Sequence, residues 1–201
     1  MTDGTPPVKV VLATHNAHKV IELRRILGER LEGIELVAYD GPEPIEDGET
    51  FEANALIKAR AAALHTGLPA LADDSGISAD ALDGAPGIHS ARYAGTRDDN
   101  DNLELLLANL AGESNRAAQF TCAAAFVSGD LEHVELGVWH GTVLTGRAGA
   151  AGFGYDPIFQ PDGLTVSAAE LSADEKNAIS HRTTAFTAIL PFVRSTLLDQ
   201  D

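Results

Sequence analysis

Apolar residues recur along this chain at two different spacings, and the alternation between them predicts its elements. Val8 to Thr14 is a short, almost continuous apolar run, the pattern of a strand covered on both faces. Beyond the polar segment His15-Asn16-Ala17-His18-Lys19, the residues Val20, Leu23, Ile26 and Leu27 recur at helical spacing, and Gly28 reads as the helix end. Ile34 to Val37 predicts a second strand, followed by a loop of Pro, Gly and acidic residues from Asp40 to Glu49. Thr50 is placed to cap an alanine-rich helix running from Phe51 to about Thr66, with Asn54 and Lys58 on one face. Ala70 to Ala72 is a third apolar run that stops at Asp73 and Asp74, after which Ser75-Gly76 reads as a turn.

The second half follows the same logic. Ala85 to Gly95 reads as a loop carrying His89, Arg92 and Tyr93, and Asp98 to Asn102 caps a helix whose Leu103, Leu106, Leu107 and Leu110 form a core stripe. Gln119 to Val127 and His133 to Thr145 predict a β-hairpin turning at Ser128-Gly129-Asp130. A glycine-rich loop spans Gly149 to Asp156. Ser172 and Glu175 form a capping box that opens a helix carrying Lys176. A last helix, from about Thr183 to Leu198, sets Phe186, Leu190, Val193 and Leu197 on its core side and is expected to kink at Pro191. His181 and Arg182 fall at the junction of these two helices.

Composition narrows the functional classes. At 201 residues the chain forms one large domain or two intimate lobes, and 44% hydrophobic with 22% charged residues is ordinary for a globular protein. The formal charge of −16 argues against a nucleic-acid polymer as partner, which needs a basic face. There are four lysines, and three of them, Lys19, Lys58 and Lys176, lie in segments with candidate chemistry. Cys122 is the only cysteine, which precludes an internal disulfide and fits packing in a reducing cytosol. Met1 to Pro7 lacks a basic n-region, Val10 to Ala13 is too short for a signal peptide, and no apolar run approaches a membrane span. These features predict a cytoplasmic protein without a membrane partner.

Two adjacent carboxylates at the end of a buried strand are costly unless a cation or hydrogen-bond donors satisfy them. Asp73 and Asp74 are hard oxygen ligands suited to Mg²⁺, and the competing meaning of the segment is an Asp-Ser-Gly turn. Glu46 or Asp47 can add a metal ligand or simply form a solvated acidic loop. At residues 14–19 the order strand, polar loop, helix presents backbone N–H groups to an anion. Lys19 opposes the helix dipole there, which makes sense if a phosphate shares the site. The Gly149–Asp156 loop lacks the Lys-Ser/Thr of a P-loop, so a Walker-type ATPase is excluded. Its Phe153 and Tyr155 can stack on a base while Asp156 reads the base edge, or the aromatics can plug a hairpin loop. A serine hydrolase at Ser75 is disfavoured, because Asp73 stands where Gly-x-Ser-x-Gly needs its first glycine.

Five segments in order carry a resemblance: Thr14-His-Asn-Ala-His-Lys19, Phe51-x-x-Asn-Ala-x-x-Lys-Ala59, Ala72-Asp-Asp-Ser-Gly76, Gly152-Phe-Gly-Tyr-Asp-Pro-Ile-Phe159, and Glu175-Lys176 with Ser180-His-Arg182. Together with Gly84-Ala-Pro-Gly-Ile-His-Ser-Ala-Arg-Tyr93, they resemble the inosine/xanthosine triphosphate pyrophosphatase family from Val10 to about Phe192. The resemblance implies an α/β fold, with a long mixed β-sheet flanked by helices and two lobes around a central active-site cleft. It implies a hydrolase of nucleotide metabolism that converts ITP, dITP and XTP to monophosphate and pyrophosphate with Mg²⁺, working as a homodimer. Thr14, His15, Asn16, Ala17, His18 and Lys19 would bind the triphosphate, and Asp74 would hold the metal and act as base, with Glu46 and Asp73 as further ligands. Ser75 would touch the substrate, while Phe153, Gly154, Tyr155, Asp156, Lys176, His181 and Arg182 would grip base and phosphates. A donor such as His181 facing the purine 6-keto oxygen would reject the 6-amino group of ATP. Two positions depart from the family pattern. His15 replaces a typical glycine, and Ala53 replaces a frequent glutamate, leaving Glu46, Glu52 or Asp73 to complete a metal shell. Two other readings share these features, a pyrophosphatase for dUTP or modified pyrimidine triphosphates and a non-catalytic nucleotide-binding regulator.

Overall fold

A computed structural model describes residues 6–15 and 17–199, with residues 17, 18 and 29 described by their backbone alone. Six strands form one sheet: β1 (Val8–Leu12), β2 (Ile34–Ala38), β3 (Ala70–Ala79), β4 (Ala117–Ser128), β5 (Leu131–Val143) and β6 (Phe159–Pro161), in the order β2-β1-β3-β4-β5-β6. β1 runs parallel to both neighbours, pairing Val8 with Ile34 and Val11 with Ala70, whereas β6 lies antiparallel on β5 through Val143 and Phe159. The sheet is therefore mixed, as expected. The five helices are α1 (Ala17–Leu27), α2 (Phe51–Thr66), α3 (Asp99–Asn109), α4 (Ala173–Ile179) and α5 (His181–Leu198).

Local chemistry explains where several of these begin and end. The Thr50 side chain accepts from the Ala53 N–H at the start of α2, and Gly67 closes the helix in the left-handed region at φ 68°, its N–H donating to Ala63 O. The predicted capping box at Ser172 and Glu175 forms, each side chain accepting from the other's backbone N–H.

The chain divides into two compact units. Among the described residues the first comprises 6–15, 17–74, 123–136 and 183–199, and it buries large side chains such as Leu23, Leu27, Phe126 and Phe186 together with a cluster of small ones, among them Ala55, Ala59, Ala62, Ala70 and Ala72. The second comprises residues 75–122 and 137–182, with a core of larger residues such as Leu103, Leu106, Phe120, Trp139 and Phe159. Cys122 is buried, consistent with packing.

Four sequence readings need correction. Ser75-Gly76 is not a turn, since β3 continues through both residues to Ala79. Gly76 is required because a Cβ there would collide with Gly87 O and Ser90 Oγ of the 3₁₀ turn Gly87–Arg92, itself formed within the expected loop. α1 starts at Ala17, so Ala17, His18 and Lys19 belong to the helix and not to the loop before it, while its end at Leu27 just before Gly28 is as read, with a 3₁₀ turn following over Gly28–Leu31. α5 starts at His181, so His181 and Arg182 are its first residues instead of a junction. β6 escaped the apolar pattern, its three residues being too few to show a period.

Candidate functional site

In the first unit, successive residues of β3 point to opposite faces, so Asp73 and Asp74 meet different lysines. Lys19 of α1 donates to Asp73 Oδ2 at 2.9 Å, and Lys58 of α2 donates to Asp74 Oδ1 at 2.9 Å. Lys58 Nζ also lies 3.3 Å from Glu46 Oε1 in the loop before α2. Asp73 is 2% exposed and Asp74 9%. Asp74 Oδ2 is buried and has no hydrogen-bond partner among the described residues.

Burial pushes the Asp74 carboxyl above its ordinary pKa, and the Lys58 charge and hydrogen bond pull it down less than burial raises it. Burial also works to lower Lys58, but the carboxylates of Asp74, Asp73 and Glu46 outweigh it and hold the ammonium above its usual range. Lys58 thus stays charged, while the ionised form of Asp74 is under-compensated. A carboxylate oxygen buried without a donor suits a cation, and Mg²⁺ needs only one or two protein carboxylates beside water and phosphate oxygens. Among the described residues no group of three or more His, Cys, Asp or Glu side chains surrounds a metal position, so an all-protein cage is not present. The donor set fits a sparsely ligated Mg²⁺.

In the segment from Thr14 to Lys19, the Thr14 N–H donates to Leu12 O, and Lys19 stands in the first turn of α1. His15 is exposed, with Nδ1 3.4 Å from Glu43 Oε1. Asn16 lies outside the described residues, and Ala17 and His18 are placed only as helix backbone.

In the second unit, Arg182 Nη2 donates to Ser75 Oγ at 3.1 Å, and Arg182 is only 2% exposed. Phe153 is half-buried, with Lys176 Nζ 4.8 Å and the Arg182 guanidinium carbon 5.7 Å from its ring centre, within cation–π reach. Asp156 is buried and accepts from Lys176 Nζ at 2.6 Å and from the Phe153 N–H at 2.9 Å. Gly152 is forced here, with φ at 75° and its missing Cβ replaced by the Asp156 carboxylate. The Gly154 N–H donates to Asp99 Oδ2 at 2.9 Å, which ties the same loop to α3. Tyr155 packs in the core and donates its hydroxyl to Ser90 O at 2.8 Å. Burial, with Tyr93 and Asp99, raises its pKa, so it stays a protonated donor. Of the two loop aromatics, Tyr155 is the buried one, and Phe153 is half-buried with the two cations over its ring. The His181 ring is buried flat against Phe120, at 4.8 Å between centres and 9° between planes, with Trp139 at 6.3 Å.

Lys58 and Asn54, which the sequence places on one face of α2, both turn inward toward the acidic loop and β3. Asn54 is 1% exposed, and its Oδ1 accepts from the Gly48 N–H at 2.9 Å, bracing the acidic loop. Their signal is two large polar side chains four apart in a helix of alanines.

A mixed α/β sheet whose central strand bears lysine-paired carboxylates, with a cationic aromatic loop in the second unit, defines a class of α/β protein suited to anionic ligands. The chain belongs to the Ham1 family, whose family model matches residues 10–192. A dITP/XTP pyrophosphatase of Leifsonia xyli subsp. xyli is 57% identical over 193 residues, spanning 94% of this chain and 96% of the relative. A dITP/XTP pyrophosphatase of Streptomyces coelicolor is 52% identical over 197 residues, spanning 94% of this chain and 98% of the relative. Among solved structures, a HAM1 protein from Coxiella burnetii superposes with a TM-score of 0.85 at 40% identity, covering 94% of this chain and 99% of its own. No helix among the described residues is long and apolar enough to cross a membrane.

Proposed function

We propose that this chain is a nucleoside-triphosphate pyrophosphatase that hydrolyses dITP, XTP and ITP to the monophosphate and pyrophosphate, clearing non-standard purines from the nucleotide pool. The observation that carries the reading is the buried Asp74 carboxylate, with Oδ2 unsatisfied and Oδ1 on Lys58, in a chain that is 57% identical to a dITP/XTP pyrophosphatase. Bound there, Mg²⁺ would neutralise phosphate charge and acidify a water. Asp74 would hold the metal and serve as the base toward the attacking water. Glu46 and Asp73 would add negative charge beside it. Lys19 and Lys58 neutralise the triphosphate, because phosphoryl transfer relies on positioning and charge stabilisation more than on covalent chemistry.

For the base, Phe153 offers its ring as a stacking platform bordered by Lys176 and Arg182, and Asp156 holds both Lys176 and the loop backbone in place. His181, fixed flat on Phe120, is the candidate donor to the 6-keto oxygen. Ser75 touches the substrate from its place on Arg182. The family resemblance further supports a cytoplasmic homodimer.

The test is pyrophosphate release from ITP, dITP, XTP, dUTP, GTP and ATP, each with Mg²⁺ and with EDTA. Fast, Mg²⁺-dependent release from the 6-keto, 2-deamino or xanthine nucleotides, with little from ATP or GTP, is the expected result. A preference for dUTP would replace the purine assignment with the pyrimidine one. Binding of ITP without turnover would make the chain a regulator.

A further inference from the structure

The loop between β2 and α2 carries Glu46 and has no regular structure of its own. Its two ends are well anchored. Tyr39 is buried, donates its hydroxyl to Pro42 O at 2.9 Å and sets its ring edge-on to His65 of α2. Gly48 is held by Asn54. The middle has no apolar anchor, since Ile45 is 83% exposed. It is held at two points, where Glu46 lies 3.3 Å from Lys58 Nζ and Glu43 3.4 Å from His15 Nδ1. The His15 imidazole is itself seated, 5.3 Å from the Tyr39 ring with the planes tilted by 48°. One side chain therefore connects the loop after β1, which leads into Lys19, with the loop that carries Glu46.

We propose that His15 is a positioning residue: through Glu43 it latches the acidic loop so that Glu46 stays beside Lys58. The proposal rests on the reading of Asp74, Lys58 and Glu46 as the metal-and-triphosphate centre only for its kinetic consequence. The latch is a statement about the loop and is measurable without substrate. A glycine or alanine at position 15 has no atoms that reach Glu43. Removal of the ring, or of the Glu43 charge, leaves Glu46 to be held by Lys58 alone, and the loop samples more positions before it can meet a cation.

The experiment compares the natural chain with His15→Ala, Glu43→Gln and the double variant. Alanine keeps the Cβ and avoids adding backbone freedom, and glutamine keeps the shape of Glu43. Hydrogen exchange over residues 40–49 in the metal-free protein is expected to quicken by about two- to fivefold in each single variant, the size of a partly exposed ion pair. The double variant is expected to be no faster than the faster single one, because both changes break the same tie. In Glu43→Gln, half-maximal turnover of XTP is expected to need more Mg²⁺ while kcat holds, a split that general damage to the fold would not give. Unchanged exchange over 40–49 in both single variants overturns the latch, as do additive effects in the double. If the natural chain releases no pyrophosphate, the proposed function fails, and the exchange data still decide the latch.

Discussion

Asp74 is a residue the fold holds at a cost. Its folded-state pKa lies above the ordinary value, so the protonated form favours folding, and that contribution is lost as pH rises from the usual carboxylate range through the raised value. In metal-free protein, Asp74→Asn should therefore match the natural chain near pH 4 and become the more stable of the two toward pH 7, with added Mg²⁺ narrowing the difference. Thermal melts across pH test this, and a difference that shrinks as pH rises would contradict the burial argument. The same variant should lose about 10²- to 10⁴-fold in turnover while still binding nucleotide, because shape is kept and the base is gone. Near-normal turnover would show that the base lies elsewhere. Lys19→Ala should weaken triphosphate binding by about 10- to 100-fold, the value of a charged hydrogen bond, and leave nucleoside binding nearly untouched. Titration calorimetry with both ligands separates the cases.

At the scale of elements, β3 shows how turn chemistry can serve a strand. Asp, Asp, Ser and Gly are turn formers in isolation. Here Lys19 and Lys58 each pair with one oxygen of a carboxylate, Arg182 donates to Ser75, and the turn at Gly87–Arg92 presses on Gly76, so the strand continues. Gly76→Ala should destabilise by about 1–3 kcal/mol, an overpacking cost, with the Tm as readout. No change in Tm would mean that the turn yields easily. What was legible in the sequence had local causes: the Thr50 cap, the Ser172–Glu175 box and the hairpin at Gly129. What was not legible depends on distant partners. Phe153 and Tyr155 look equivalent until Ser90 takes the Tyr155 hydroxyl. Asn54 and Lys58 stand out in an alanine-rich helix, but their partners Gly48 and Asp74 lie outside it and could not be read from the helix pattern.

For the molecule as a whole, a net charge of −16 opposes an anionic substrate at long range. The cations that would meet the substrate are shielded, with side-chain exposures of 17% for Lys19, 14% for Lys58 and 8% for Lys176. Screening should therefore relieve the long-range repulsion more than it weakens the local contacts. Raising ionic strength from about 0.01 to about 0.1 M, which shortens the Debye length from roughly 30 to 10 Å, should increase kcat/KM at saturating Mg²⁺. A steep fall would mean that exposed cations steer the substrate instead. Within the first unit, beside large buried side chains such as Leu23, Phe126 and Phe186, one apolar cluster is lined largely by alanine, with Ala55, Ala59 and Ala62 of α2 near Ala70 and Ala72 of β3.

That alanine cluster governs how α2 can drift. Large interior side chains accept exchanges among Leu, Ile and Met with repacking, which leaves them near-neutral routes of change. Ala55, Ala59 and Ala62 are each 0% exposed and have no side-chain freedom to yield. Even one added methylene would push α2 away, and Lys58 would move with it. In a saturation library selected on fold alone, those three alanines should accept only glycine or serine, while Leu106 and Phe120 diversify. The buried face of α2 would then be slower to change than the leucines and rings elsewhere in the interior, even if no nucleotide were ever bound.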